Sequence, residues 1–190
     1  MHLLRSERLG DLVIKKAFRY ARNIFLGLKF GNKIEKKDVC GVPLSMTVNI
    51  KQNSKLIVGR RVRANGSSHV GVIKGGQLII EDEVYFNRDC LIVCQKDIRI
   101  GKNCSFGPGV KIYDHDHVFD TEGFRQHEFT TQPVRIEQNC WIGANSVILK
   151  GTTIGEGTVI GAGTVVRGTI PPHSLVTSGR ELVIKPIEKR

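Results

Sequence analysis

Long apolar runs, paired cysteines, aromatic rings and acidic side chains are all in short supply in this 190-residue chain. Charges interrupt every apolar stretch of the opening MHLLRSERLGDLVIKKAF, so neither a secretory leader nor a membrane-spanning helix is predicted, and the expected location is the cytoplasm. The five cysteines (Cys40, Cys90, Cys94, Cys104 and Cys140) are odd in number and lack paired zinc-ligand spacing, which disfavours a disulfide framework and leaves small buried packing roles. Aromatics make up 6% of the residues, too few for a sandwich held by large rings, whereas 21 glycines point to many tight turns. Asp and Glu number 18 against 29 Lys and Arg, a net charge of +11 that asks for an anionic partner. Nucleic acid is not expected in that role, because no binding motif and no basic tract with interleaved aromatics is present.

Much of the positive charge lies at the front, where residues 1–37 hold ten Lys and Arg and three Asp and Glu. The segment LGDLVIKKAFRYARNIFLGLKF sets Leu9, Val13, Ala17, Tyr20, Ile24 and Leu28 on one helical face with Lys15, Lys16, Arg19 and Arg22 largely around it. An amphipathic helix over residues 1–30 is therefore predicted, with two readings. Either its apolar face packs on the main domain and the basic edge stays solvated, or the helix attaches peripherally to an anionic membrane surface.

From Ile136 the chain divides into IEQNCW, IGANSV, ILKGTT, IGEGTV, IGAGTV and VRGTIP. Each block opens with Ile or Val, and a small residue recurs at the fifth place (Cys140, Ser146, Thr152, Thr158, Thr164). An upstream array, IEDEVY, FNRDCL and IVCQKD, slips by two residues at Ile98 and Arg99 and continues as IGKNCS and FGPGVK. A six-residue period fits neither an amphipathic helix nor a simple alternating strand. It fits a short strand and a turn repeated, with the opening aliphatics stacked in a column, which is a hexapeptide β-solenoid. Cys90, Cys104 and Cys140 all take the small fifth place, as corner packers. The repeats break off at Asp114 and resume near Val134, which makes residues 114–133 a long loop inserted into a rigid rod, where function commonly resides.

These repeats resemble those of the left-handed β-helix acyltransferases. Asn87 after YF, the Asp114–His115 pair, WIGANSVI and the closing IGAGTVV followed by IPP are similar to galactoside and maltose O-acetyltransferases and to bacterial capsule and O-antigen O-acetyltransferases. The resemblance spans roughly residues 54–187 and implies an all-β solenoid: a left-handed parallel β-helix domain over 31–187, preceded by the N-terminal α-helix. Left-handedness comes from the resemblance alone, since ordinary parallel crossovers are right-handed. It further implies a homotrimer, a saccharide acceptor and acetyl-CoA as co-substrate.

Acetyl transfer to a sugar hydroxyl needs a base to take the hydroxyl proton, a task for which histidine is suited. The resemblance assigns it to His115. Asp114 and Asp116 stand as acceptor contacts or as supports for an imidazole, and His117 as a sugar contact, a loop-orienting group or a solvated side chain. Asn87 matches the substrate-facing asparagine, with a turn residue as the other reading. For the donor the resemblance implies Trp141 in the groove, backbone at Gly143 and Ala144 near the thioester carbonyl, small Ala162 beside the pantetheine arm, and Arg167, Arg180 and Lys185 near the phosphates. No metal is expected, although His115, His117 and His127 supply the residue type by which related γ-class carbonic anhydrases hold one. N-acetylation of an amino sugar and a non-catalytic docking solenoid are the rival functions.

Overall fold

The structure, a computed structural model, describes residues 3–37 and 42–178, with side chains in the first helix from Val13 onward. The hexads become three parallel sheets that form the faces of a left-handed prism. Seven strands form the first face, from Ile34–Lys36 to Thr169–Ile170, and six each form the second and third. The chain visits them in turn. Tyr85–Phe86 lies on the second face, Cys90–Cys94 on the third and Asp97–Ile100 on the first.

The period has a physical cause at each place of the hexad. Opening residues point inward and stack from coil to coil, as in Phe86, Phe106, Ile142 and Ile160, which lie in register on the second face and are all buried. Fourth-place residues turn the corners in left-handed backbone, among them Glu83, Asp89, Asn103, Asn139 and Asn145, with φ between 57° and 65°. Fifth-place side chains are buried, and several of them donate to carbonyls. Ser146 Oγ donates to Gly161 O at 2.9 Å and Cys140 Sγ to Gly155 O at 3.2 Å. The corner-packing role expected of Cys90, Cys104 and Cys140 therefore holds, all three being buried free thiols.

Upstream coils carry longer strands of four or five residues, such as Met46–Ile50 and Ser68–Val72, against two residues in most downstream coils. That added length blurs the hexad before residue 100. Ile142 sits between Phe106 and Ile160 with no exposed surface. Ile142→Ala is expected to lower unfolding stability by about 2–5 kcal/mol, read by chemical denaturation, because a closely stacked column cannot collapse onto the cavity.

Two features depart from the sequence reading. Residues 114–133, expected as a long inserted loop, form a projecting antiparallel hairpin, His115–Asp120 paired with Gly123–Thr131. Its turn is closed by Asp120, whose Oδ1 accepts the Glu122 N–H at 2.9 Å, and by Gly123 at φ 116°, a value side chains disfavour. The first face crosses the insertion without a break, since Val134–Ile136 stacks on Ile98–Ile100.

The helix Leu3–Phe30 is the second departure, because it docks with the opposite side from the one its pattern suggests. Arg19 Nη2 donates to Val62 O at 3.0 Å, Arg22 Nη1 to Pro43 O at 2.7 Å, and Arg22 Nη2 to Met46 O. Asn23 exchanges two 3.0 Å hydrogen bonds with the Val42 backbone, and Leu26 is buried beside it. Val13, Tyr20, Ile24 and Leu28, which would face the domain on the first of the two readings, are exposed. Polar and cationic side chains reach carbonyls at the solenoid's open end, and the apolar face turns outward.

Candidate active site

On the third face the strand Lys111–Tyr113 leads directly into Asp114, which is fully buried. Its carboxylate accepts the N–H groups of Gln95 at 2.8 Å, Lys96 at 2.7 Å and Asp97 at 2.9 Å, and Cys94 Sγ lies 3.4 Å away. His115 Nδ1 completes the set at 3.1 Å from Asp114 Oδ1. Burial alone raises the carboxyl's pKa, but the hydrogen bonds from His115 and the Gln95 and Lys96 backbone outweigh it and hold Asp114 below its ordinary value. An ionised Asp114 only accepts, so in the neutral imidazole of His115 the proton sits on Nδ1 and the lone pair on Nε2. Of the two roles expected for Asp114, the structure supports positioning of the imidazole, since an enclosed carboxylate cannot meet an acceptor.

The hairpin walls this histidine. Tyr113 and Phe129 meet the His115 ring edge-on, with centroids at 6.0 and 5.6 Å, and the side chain is 12% exposed. His117 packs on Phe129 at 4.4 Å and lies 3.3 Å from Arg125 O, but stays solvent-exposed. Lys74 Nζ stands 3.6 Å over the Phe129 ring from the far side. At the hairpin's foot, Asp116 Oδ2 meets Lys150 Nζ at 3.0 Å and Arg167 Nη2 at 3.1 Å.

Lys150 escaped the sequence reading. Ile112 and Ile148 are in register, and Asp114 and Lys150 each follow by two residues, so aligning the hexads in rows would have placed them at one corner. Arg167, expected at the donor phosphates, belongs to the same corner and is tied to Asp116 here.

Asn87, Gly143, Ala144 and Ala162 lie at a different corner, between the second and third faces, with Trp141 exposed on the second face beside it. Asn87 Oδ1 accepts the N–H of Arg88 at 2.9 Å, as a turn asparagine does. The Gly143 N–H already donates to Ile160 O at 2.7 Å and is not free for a thioester carbonyl. Gly143 serves coil stacking instead: a Cβ there would stand 2.5 Å from Ala162 N. The Ala144 and Ala162 N–H groups, with no backbone acceptor among the described residues, are donors which that corner retains.

The two corners flank the third face. A strand of five residues such as Cys90–Cys94 separates them by roughly 16 Å, so one chain does not bring His115 to Asn87. Arg180 and Lys185 lie outside the described residues. Among the described residues, no three His, Cys, Asp or Glu side chains come together as a metal would require.

Comparison with known proteins adds to this geometry. Residues 133–168 match the bacterial transferase hexapeptide (six repeats) family. A probable acetyltransferase of Mycobacterium tuberculosis is 34% identical over 147 residues, 76% of this chain and 48% of that protein, so the chain spans about half that relative's length. An Escherichia coli protein named for O-acetyl transfer in lipopolysaccharide biosynthesis is 28% identical, covering 77% of this chain and 75% of its own. Among solved structures, a hexapeptide-repeat acetyltransferase of Vibrio cholerae superposes with TM-score 0.58 at 29% identity, over 67% of this chain and 72% of that one. A galactoside acetyltransferase in complex with coenzyme A gives TM-score 0.53 at 25% identity, over 89% and 80%.

Proposed function

We infer that this chain, which is similar to hexapeptide-repeat acetyltransferases, is an acetyl-CoA-dependent O-acetyltransferase that modifies a saccharide hydroxyl during surface polysaccharide assembly. The observation that carries this reading is the Asp114–His115 pair, which fixes Nδ1 as donor and leaves Nε2 as the basic nitrogen beside a projecting hairpin.

The sugar oxygen attacks the thioester carbonyl carbon as its proton passes to His115 Nε2. Negative charge on the former carbonyl oxygen is met by a backbone N–H, for which Ala144 is the candidate. Collapse breaks the C–S bond, and the imidazolium returns its proton to the leaving CoA sulfur. Atoms and charge balance without a metal or an acetylated enzyme. Trp141 and Ala162 line the donor side, and Asn87 and His117 are placed on the acceptor. The CoA complex of the galactoside enzyme supports the donor, and the Escherichia coli relative's name supports the polysaccharide setting.

The separation of the two corners supports a ring of copies. A rotation that closes would set the His115 corner of one chain against the Asn87 corner of the next, making a heterologous interface and a complete site. Light scattering is expected to report a homotrimer. An active monomer would defeat this assembly and the groove with it.

Turnover of acetyl-CoA, followed as released CoA thiol against a panel of sugars, amino sugars and oligosaccharides, tests the function. Acetylation of a hydroxyl is expected. Product carrying acetyl only on an amino group would move the assignment to N-acetyl transfer, and no thiol release with any acceptor would leave a docking module.

A further inference from the structure

The solenoid leaves the apolar side of the helix Leu3–Phe30 uncovered from Val13 onward. Val13, Ile14, Phe18, Ile24, Phe25 and Leu28 are 48% to 82% exposed. At 3.6 residues per turn they fall, with Ala17 and Ala21, inside an arc of roughly 140°. No charged or polar residue between Val13 and Leu28 enters that arc. The docked residues Arg19, Asn23 and Leu26 lie on the opposite side. The helix is thus fastened by its polar side with its apolar side presented, the reverse of a helix that helps to make a core.

Charge selects the occupant. Exposed Lys16 and Lys29 lie outside the apolar arc towards either edge, and no Asp or Glu occurs between Val13 and Ile34. A second copy laid face to face over residues 13–30 would bring these cations towards one another with no acidic complement in that stretch, an arrangement that opposes pairing. A bilayer with anionic headgroups offers apolar depth for the rings and negative charge for the lysines at once. We propose that this helix seats the protein on the surface of an anionic membrane, its apolar face at the boundary of headgroups and acyl chains and its arginine side holding the solenoid. The helix does not cross, since no helix among the described residues is long and apolar enough to do so.

Sedimentation of the full-length protein with vesicles tests this independently of acetyl transfer. With equal parts phosphatidylglycerol and phosphatidylcholine at low salt, the protein is expected in the pellet. Phosphatidylcholine alone should retain far less, and added salt should release what is bound. The double variant Phe18→Glu, Phe25→Glu should lose at least 10-fold in partitioning while keeping its thermal transition and acetyl-CoA turnover. Lys16→Gln and Lys29→Gln should each cost up to about 5-fold, on anionic vesicles only. The proposal is overturned if wild type stays in the supernatant, or if the double variant binds as well as wild type. It is likewise overturned if the glutamates change the solution mass while wild type ignores vesicles, because the face would then join copies of this chain.

Discussion

His115→Ala is expected to lower acetyl-CoA turnover by about 10²-fold or more, the usual size of a general-base contribution. Its thermal transition should move little. The ring is mostly enclosed, but its neighbours Tyr113 and Phe129 lie at centroid separations of 5.6–6.0 Å, and Asp114 keeps its backbone donors when the imidazole is gone. The loss should fall on kcat, with donor binding retained, since the corner of Gly143 and Ala162 is untouched. His117→Ala makes the internal comparison. That ring is exposed and has no carboxylate to fix its tautomer, so a decrease below about 10-fold is expected. Near wild-type turnover in His115→Ala would remove this residue from the mechanism, and a larger loss in His117→Ala would transfer the base to it.

The solenoid was legible because its period is a direct product of its geometry. One inward residue, one left-handed corner and one small buried side chain per hexad leave marks at the first, fourth and fifth places, as in IGANSV with Ile142, Asn145 and Ser146. Upstream, strands of four or five residues put extra alternating positions between corners, and the same architecture reads as noise. The hairpin was hidden for another reason. Its strand Gly123–Thr131 is exposed along most of its length, so no buried face imposed an alternation on the sequence.

The helix and the catalytic corner show what periodicity leaves open. An apolar stripe states that one side of a helix will leave water, but not which body will cover it. Docking was decided by Arg19, Arg22 and Asn23 finding backbone carbonyls at Val62, Pro43, Met46 and Val42, partners far away in sequence. Asp114 was marked by its neighbour His115, yet its burial depends on a turn at residues 95–97 that belongs to the preceding coil. Donor and acceptor residues carried over by resemblance fell on two corners of one chain, an outcome that only the order of the faces reveals.

Asp114→Asn is expected to cost both stability and turnover, and the two losses have separate readouts. The carboxylate is fully buried and accepts three backbone N–H groups and the His115 Nδ1–H. An amide of the same shape presents its own N–H₂ to that ring of donors, so at least one bond becomes a donor–donor contact, at about 3 kcal/mol. The pH dependence identifies the charge as the source. Asp114 is held below the ordinary carboxyl value of 3.8 in the folded chain, so its contribution is complete above that value and declines as pH falls towards the lower folded one. The difference in unfolding free energy between wild type and variant should therefore be largest near neutrality and shrink below about pH 4. An equal difference at both pH values would mean that shape, and not ionisation, is responsible. Turnover, read well below the variant's melting temperature, should fall by at least about 10²-fold, because an asparagine oxygen or nitrogen can face Nδ1 and the proton is no longer confined to that atom. Loss of stability with unchanged kcat would make Asp114 a fastener of the coil alone and leave His115 to hold its tautomer unaided.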